Sequence, residues 1–166
     1  NARNKSEHWR NEMVKPITII NLTLLLVVSS CSFKQQAMTN LEIIKSTYEG
    51  KTSEENGKNL AKHVAKNISW TEAKGFPYAG TYIGLESVTE NVFKRLGSEW
   101  IDYKFLPEDY IANENKVVAY GTYSGTYKKT NKYFEARVAH IWKLNNGKIV
   151  SFEQFVDSKL VDEVIR

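Results

Sequence analysis

The sequence is short of the residues that build special frameworks. It has one cysteine in 166 residues, which excludes an intramolecular disulfide and a cysteine-rich zinc site. Three prolines and nine glycines exclude a collagen-like or linker-like chain. His8, His63 and His140 are the only histidines, too few and too scattered to suggest a metal site. No Gly-rich phosphate loop, HExxH or GxSxG motif occurs, so neither a metal nor an organic cofactor is expected. Charge of one sign is in small excess: 23 Lys and Arg face 19 Asp and Glu, a net of +4. Apart from Lys128-Lys129 and Lys132 the basic residues are scattered, whereas a nucleic-acid binder gathers them on one face. No nucleic-acid partner is expected. What is present is apolar content of 42%, aromatics included, enough for one folded domain at this length.

The longest uncharged apolar run, Ile17 to Val28, has twelve residues. A membrane-spanning helix needs ~20. The run suits the h-region of a signal peptide, with Met13-Val14-Lys15 as start and positive n-region. Val28-Ser29-Ser30-Cys31 then resembles the bacterial lipobox. That resemblance implies a diacylated Cys31 as the first mature residue, small neighbours admitting the peptidase and the thiol accepting the lipid. On this reading residues 1–30 are upstream sequence and signal peptide, 31–38 a tether and 39–166 the folded domain. The partner is then a membrane reached through the lipid anchor, and the location is the bacterial cell envelope. Cleavage would leave a net charge of +2, since residues 1–30 hold four basic and two acidic residues. The alternative is a start at Met38 and a cytoplasmic domain.

From Thr39 onward the pattern is helical, then extended. Thr39 and Glu42 form a capping box, and Leu41, Ile44 and Tyr48 share a helical face. Ser53 is expected to cap a second helix carrying Leu60 and Val64, with His63 facing solvent. Ile68 to Trp70 and Tyr78 to Ile83 read as short strands, with a turn at Gly75-Phe76-Pro77. Leu85, Val88, Val92 and Leu96 mark a third helix ending at Gly97. The period then becomes two, with strands expected at 100–111, 116–128, 132–144 and 148–157. Asn145-Asn146-Gly147 is a strong hairpin signal, and residues 158–166 can close as a short helix. Helices segregated from a meander imply an α+β fold: a cone-shaped, curved antiparallel sheet wrapped around three helices. Such a cone favours an internal pocket.

Four segments carry a resemblance to a known family. They are Trp70 with Phe76-Pro77-Tyr78-Ala79-Gly80-Thr81-Tyr82-Ile83-Gly84, then Val88 with Val92-Phe93, then Val117 to Thr126, and last Phe134-Glu135-Ala136 through His140-Ile141-Trp142 to Asp157. From Met38 to Arg166 the chain resembles the SnoaL-like branch of the nuclear transport factor 2 superfamily, which includes ketosteroid isomerase. The resemblance implies an apolar small-molecule partner in the cone. It also implies a base near Trp70 and Glu72, and a homodimer through the convex face of strands 116–128 and 132–144, where Val118, Tyr120, Tyr133 and Ile141 fall.

His140 is the main catalytic candidate. It shares a strand face with Phe134, Ala136, Val138 and Trp142. A histidine among apolar groups can shuttle a proton, or it can be a core residue satisfied by a carbonyl or a tyrosine. Asp157 is the second candidate. Without a bulge it shares a face with Ile149, Ser151, Glu153 and Phe155. The hairpin register then sets His140 opposite about position 152, leaving Asp157 ~17 Å further along. Asp157 can instead cap the terminal helix. Trp70, Phe76, Tyr82, Tyr120, Trp142 and Phe155 are the candidate ligand-lining residues. The function read from this is cofactor-free acid–base chemistry, by an isomerase, cyclase or hydrolase acting on an apolar carbonyl or hydroxyl compound. The alternative is a non-catalytic envelope domain that binds a lipid, peptide or protein.

Overall fold

The computed structural model describes residues 38–166; the expected signal segment and Cys31 lie outside them. Helix α1 (Asn40–Ser46) starts on the capping box, with Thr39 Oγ1 accepting from Glu42 N and Glu42 Oε2 accepting from Thr39 N. It buries Ile43 and Ile44. Helix α2 (Ser53–His63) is capped by Thr52, not by the expected Ser53: Thr52 is extended and its Oγ1 accepts from Glu55 N. Only Leu60 of α2 is buried, so this helix is held lightly.

Strand β1 (Val64–Glu72) follows directly and pairs antiparallel with β2 (Gly80–Ile83). The third helical stretch runs unbroken through α3 (Leu85–Val88), a π-helical turn (Thr89–Phe93) and α4 (Lys94–Glu99). Val88 and Val92 face inward. Strands β3 (Trp100–Asn113), β4 (Lys116–Tyr127), β5 (Lys132–Asn145) and β6 (Lys148–Val156) form the meander, and α5 (Ser158–Ile165) closes the chain. Asn146 and Gly147 both have positive φ at the β5–β6 turn, as a type I′ hairpin requires.

The six strands lie in the order β2-β1-β6-β5-β4-β3. One feature departs from the expected antiparallel sheet: β1 runs parallel to β6. A hairpin turn forces antiparallel pairing, but four other strands lie between β1 and β6 along the chain, so no turn dictates their relative direction. The sheet curves where its ladders break. Strand β3 shifts register between Ile101 and Lys104 and again between Pro107 and Asp109. Gly121 sits opposite Pro107 at the second break, where an added Cβ would meet Leu106 O at 2.0 Å. Only glycine allows the two backbones to approach this closely.

A further bulge decides what β6 presents. Leu144 pairs with Ile149, yet Lys143 pairs with Ser151, leaving Val150 as an extra residue. The phase flips there. Ile149, Phe152 and Gln154 are buried, while Phe155 is 52% exposed. The expected inward set of Ser151, Glu153, Phe155 and Asp157 is thus corrected, and His140 lies opposite Gln154, not position 152.

Candidate functional site

The concave face of the sheet, the loop after α1, helix α2, the π-helical turn and α4 border a cavity of about 410 Å³. Its wall is largely carbon, from residues such as Leu60, Val92, Phe105 and Phe152. One imidazole and one carboxyl group interrupt that wall, His140 and Glu72, together with the phenols of Tyr48, Tyr103 and Tyr123.

His140 faces inward because β5 alternates strictly, with Phe134, Ala136, Val138 and Trp142 buried beside it. Ala119 and Gly121 lie opposite His140 and Val138 on β4, and these small residues leave room for larger rings to converge. Tyr48, in the loop after α1, places Oη 2.6 Å from His140 Nδ1. Tyr123, on β4, places Oη 2.6 Å from His140 Nε2. Tyr48 Oη accepts from Trp142 Nε1 at 2.9 Å. Tyr123 Oη accepts from Gln154 Nε2 at 3.1 Å, and Gln154 Oε1 accepts from Ala73 N at 3.2 Å. A polar chain therefore crosses the apolar wall from Ala73 to Trp142. Burial holds the His140 imidazole down at about 3, so it is neutral at physiological pH. The same burial raises the Tyr48 and Tyr123 phenols.

Glu72 is treated differently. It lies two residues from Trp70 on β1, hence on the same face, and is 4% exposed. Its Oε1 accepts from Trp70 Nε1 at 2.7 Å. Its Oε2 is buried with no hydrogen-bond partner. Burial pushes the carboxyl up to about 7, with the Trp70 bond opposing the shift. A buried oxygen without a partner is costly, and such groups concentrate at functional sites. The Tyr103 hydroxyl on the same cavity wall is also buried and unpartnered.

Of the candidate residues, His140, Trp70 and Trp142 reach the cavity wall. Phe76 is buried, but behind that wall, with its ring 6.2 Å from Tyr123. Tyr82 is tied elsewhere by its hydroxyl, which donates to Tyr78 O. Tyr120 belongs to the outer phase of β4, opposite Ala139. Tyr120, Phe155 and Asp157 border a shallow depression on the outside of the sheet. The β6 bulge put Phe155 there. Asp157 is exposed, and its N donates to Arg137 O. It precedes α5 but makes no side-chain cap bond; its ψ of 80° differs from the 160° and 158° of the capping residues Thr39 and Thr52. The residues the sequence reading did not single out for the site are Phe105, Phe152, Gln154 and Tyr48; Tyr123 was read only as one of several phenols on the sheet. Tyr123 shares the inward phase of Val117 and Ala119, a signal that was available; Phe152 and Gln154 needed the bulge. Among the described residues, no group of three or more His, Cys, Asp or Glu is placed to hold a metal ion.

Comparison with known proteins fits this geometry. The SnoaL-like domain family matches residues 48–152. A nuclear transport factor 2-like protein of Burkholderia thailandensis is 40% identical, with 78% of this chain and 99% of that one covered and a TM-score of 0.74. One from Burkholderia pseudomallei is 20% identical over 77% and 98% of the two chains, with a TM-score of 0.68. TerC, co-crystallised with polyporic acid, is 20% identical over 76% and 97%, with a TM-score of 0.66. No curated protein matches the chain. The family match spans more than half the chain and the Burkholderia thailandensis relative aligns over nearly all of its own length, so the chain belongs to the SnoaL-like domain family and has the nuclear transport factor 2-like fold.

Proposed function

We propose that the cavity binds a small apolar carbonyl compound and that Glu72 moves a proton at the carbon next to the carbonyl, without a cofactor. The observation that carries this is the buried, unpartnered Oε2 of Glu72 on the cavity wall. With its carboxyl raised to about 7, Glu72 is part base and part acid near neutral pH, where proton transfer in both directions is efficient. As carboxylate it takes the α-proton. The C–H electron pair forms the enolate double bond, and the carbonyl oxygen takes up the negative charge. Returning the proton at another carbon isomerises the compound, and attack of the enolate within the same molecule cyclises it. The aromatic wall of Trp70, Phe105 and Phe152 excludes water and strengthens every charge interaction inside.

The test is deuterium exchange, which needs no knowledge of the product. Cyclic aromatic ketones such as 1-tetralone and 2-indanone are incubated with the protein in D2O, and loss of the α C–H signal is followed by NMR. Wild type is expected to catalyse exchange, half-maximal near pH 7 and rising with pH as Glu72 ionises. Glu72→Gln should lower the rate by about 100-fold or more. Ketones that bind without exchanging would replace this reading with non-catalytic binding.

As a separate proposal, carried by residues 13–31, the domain is tethered at the cell envelope through Cys31. Intact-mass analysis of native protein tests it: diacylglycerol mass on a chain beginning at Cys31 supports the tether, and an unmodified chain beginning at Met38 or Thr39 overturns it.

A further inference from the structure

The contacts of His140 leave one proton over. A neutral imidazole has one N–H and one bare nitrogen, so it donates at one contact and accepts at the other. The ring stands between two phenols, with Tyr48 Oη 2.6 Å from Nδ1 and Tyr123 Oη 2.6 Å from Nε2. One ring proton and two phenol protons thus serve two hydrogen bonds. In either tautomer the phenol facing the bare nitrogen donates to it, and the phenol facing the ring N–H keeps its own hydroxyl free. That hydroxyl finds no acceptor in the other side chain hydrogen-bonded to it; beside Tyr123 the one further oxygen is Tyr103 Oη, itself without a hydrogen bond. Trp142 Nε1, beside Tyr48, is a donor. Gln154 Nε2, beside Tyr123, is one also, because Ala73 N occupies the amide oxygen. Both tyrosines line the cavity.

We propose that this spare phenol hydroxyl holds the oxygen of the bound compound, and that the tautomer of His140 decides whether Tyr48 or Tyr123 presents it. The proposal rests on the reading that the cavity takes a carbonyl compound, and it names the donor for that carbonyl. His140 is then a positioning residue, and the two tyrosines are alternative binding residues. A change of tautomer passes the donor from one side of the ring to the other while the ring keeps its place. The cavity can thereby accept the ligand oxygen in either of two places.

The pattern of single and double substitutions tests this. In Tyr48→Phe, Nδ1 faces a ring without a polar atom. An orphaned buried N–H is rarer than an under-satisfied acceptor, so the proton settles on Nε2 and Tyr123 keeps the spare hydroxyl. In Tyr123→Phe the proton settles on Nδ1 and Tyr48 keeps it. Two-bond 15N–1H correlation spectra of ligand-free protein should therefore show opposite His140 tautomers in the two variants. The same tautomer in both would overturn the proposal whether or not a ligand binds. So would a doubly protonated His140 in wild type at pH 6, a measurement that needs no variant to fold.

The binding arm compares 1-tetralone with its hydrocarbon counterpart, tetralin. The preference for the ketone should fall about tenfold in Tyr48→Phe/Tyr123→Phe, the value of one hydrogen bond. It should fall no more than about threefold in either single variant, because one donor survives. Loss of the preference in a single variant would show a fixed donor and overturn the switch. Loss of it in Tyr103→Phe, with the double variant unaffected, would move the donor to Tyr103 and overturn it too. If wild type binds neither compound, the carbonyl-binding reading fails, and the spectra still decide the tautomer claim.

Discussion

Glu72 on β1 and His140 on β5 are buried to nearly the same degree, 4% and 3% exposed, yet their surroundings differ. Both nitrogens of His140 have phenol partners. Glu72 has one partnered oxygen and one bare one. Burial drives both toward neutrality, and so shifts them in opposite directions: the carboxyl up to about 7 and the imidazole down to about 3. The partnered group builds the wall and orients its neighbours. The half-partnered group keeps one buried oxygen without a hydrogen bond. A buried polar side chain is therefore read by its satisfaction as well as its burial.

The ring between these two regions should give the largest effect. Phe152 stacks on Trp70 at 3.8 Å and packs edge-on against His140 at 4.9 Å. Phe152→Ala should cost about 3–5 kcal/mol in urea unfolding. Water admitted to the space should also move the His140 titration up toward its ordinary value, as an NMR pH titration would read.

Removing the charge at Glu72 should stabilise the fold at alkaline pH. Between pH 4.5 and about 7 the folded chain keeps a Glu72 proton that the unfolded chain has lost. Stability therefore falls as pH rises through that window, by about 3 kcal/mol in total. Glu72→Gln keeps an acceptor for Trp70 Nε1 and should be about 2–3 kcal/mol more stable than wild type at pH 8. Lower stability for the variant would mean that the carboxylate is better satisfied than the structure shows.

His140 contributes the opposite slope. The unfolded chain holds a His140 proton below pH 6.5, while the folded chain gains one only near pH 3, so stability rises with pH between those values. From pH 4.5 to 6.5 the two groups cancel in wild type. Glu72→Gln should expose a rise of about 3 kcal/mol over that span, and His140→Gln a fall of similar size. Urea midpoints at pH 4.5, 5.5 and 6.5 would reveal parallel slopes if the contrast between the two groups were unfounded.

The smallest expected effect lies at the cover of the cavity. Gly57 sits mid-helix in α2, and an added Cβ would meet no atom within 4 Å. Gly57→Ala should stabilise the protein by about 0.5–1 kcal/mol. A loss would show that the helix must bend there.

Most of the fold was legible because it is written in local periods. The capping box at Thr39 and Glu42 requires only residues three apart, and it formed. The hairpin at Asn146-Gly147 requires only positive φ, and both residues have it. Alternation along β5 turned His140 and Trp142 inward together. The site was legible only in part. Tyr120 was read into the pocket although it shares its phase with Val118, on the outer face. Phe155 and Asp157 were read inward because nothing in the sequence marks Val150 as the extra residue of a bulge, and one extra residue reverses every side chain beyond it.

The sequence alone determined the start of α1, the phase of β5 and the α+β class, since propensity and periodicity act between near neighbours. Only the tertiary structure decided that β1 runs parallel to β6, that Gln154 faces inward, and that a tyrosine 92 residues away closes on His140. These depend on contacts between distant segments, and on where a curved sheet relieves its strain, which no local pattern records.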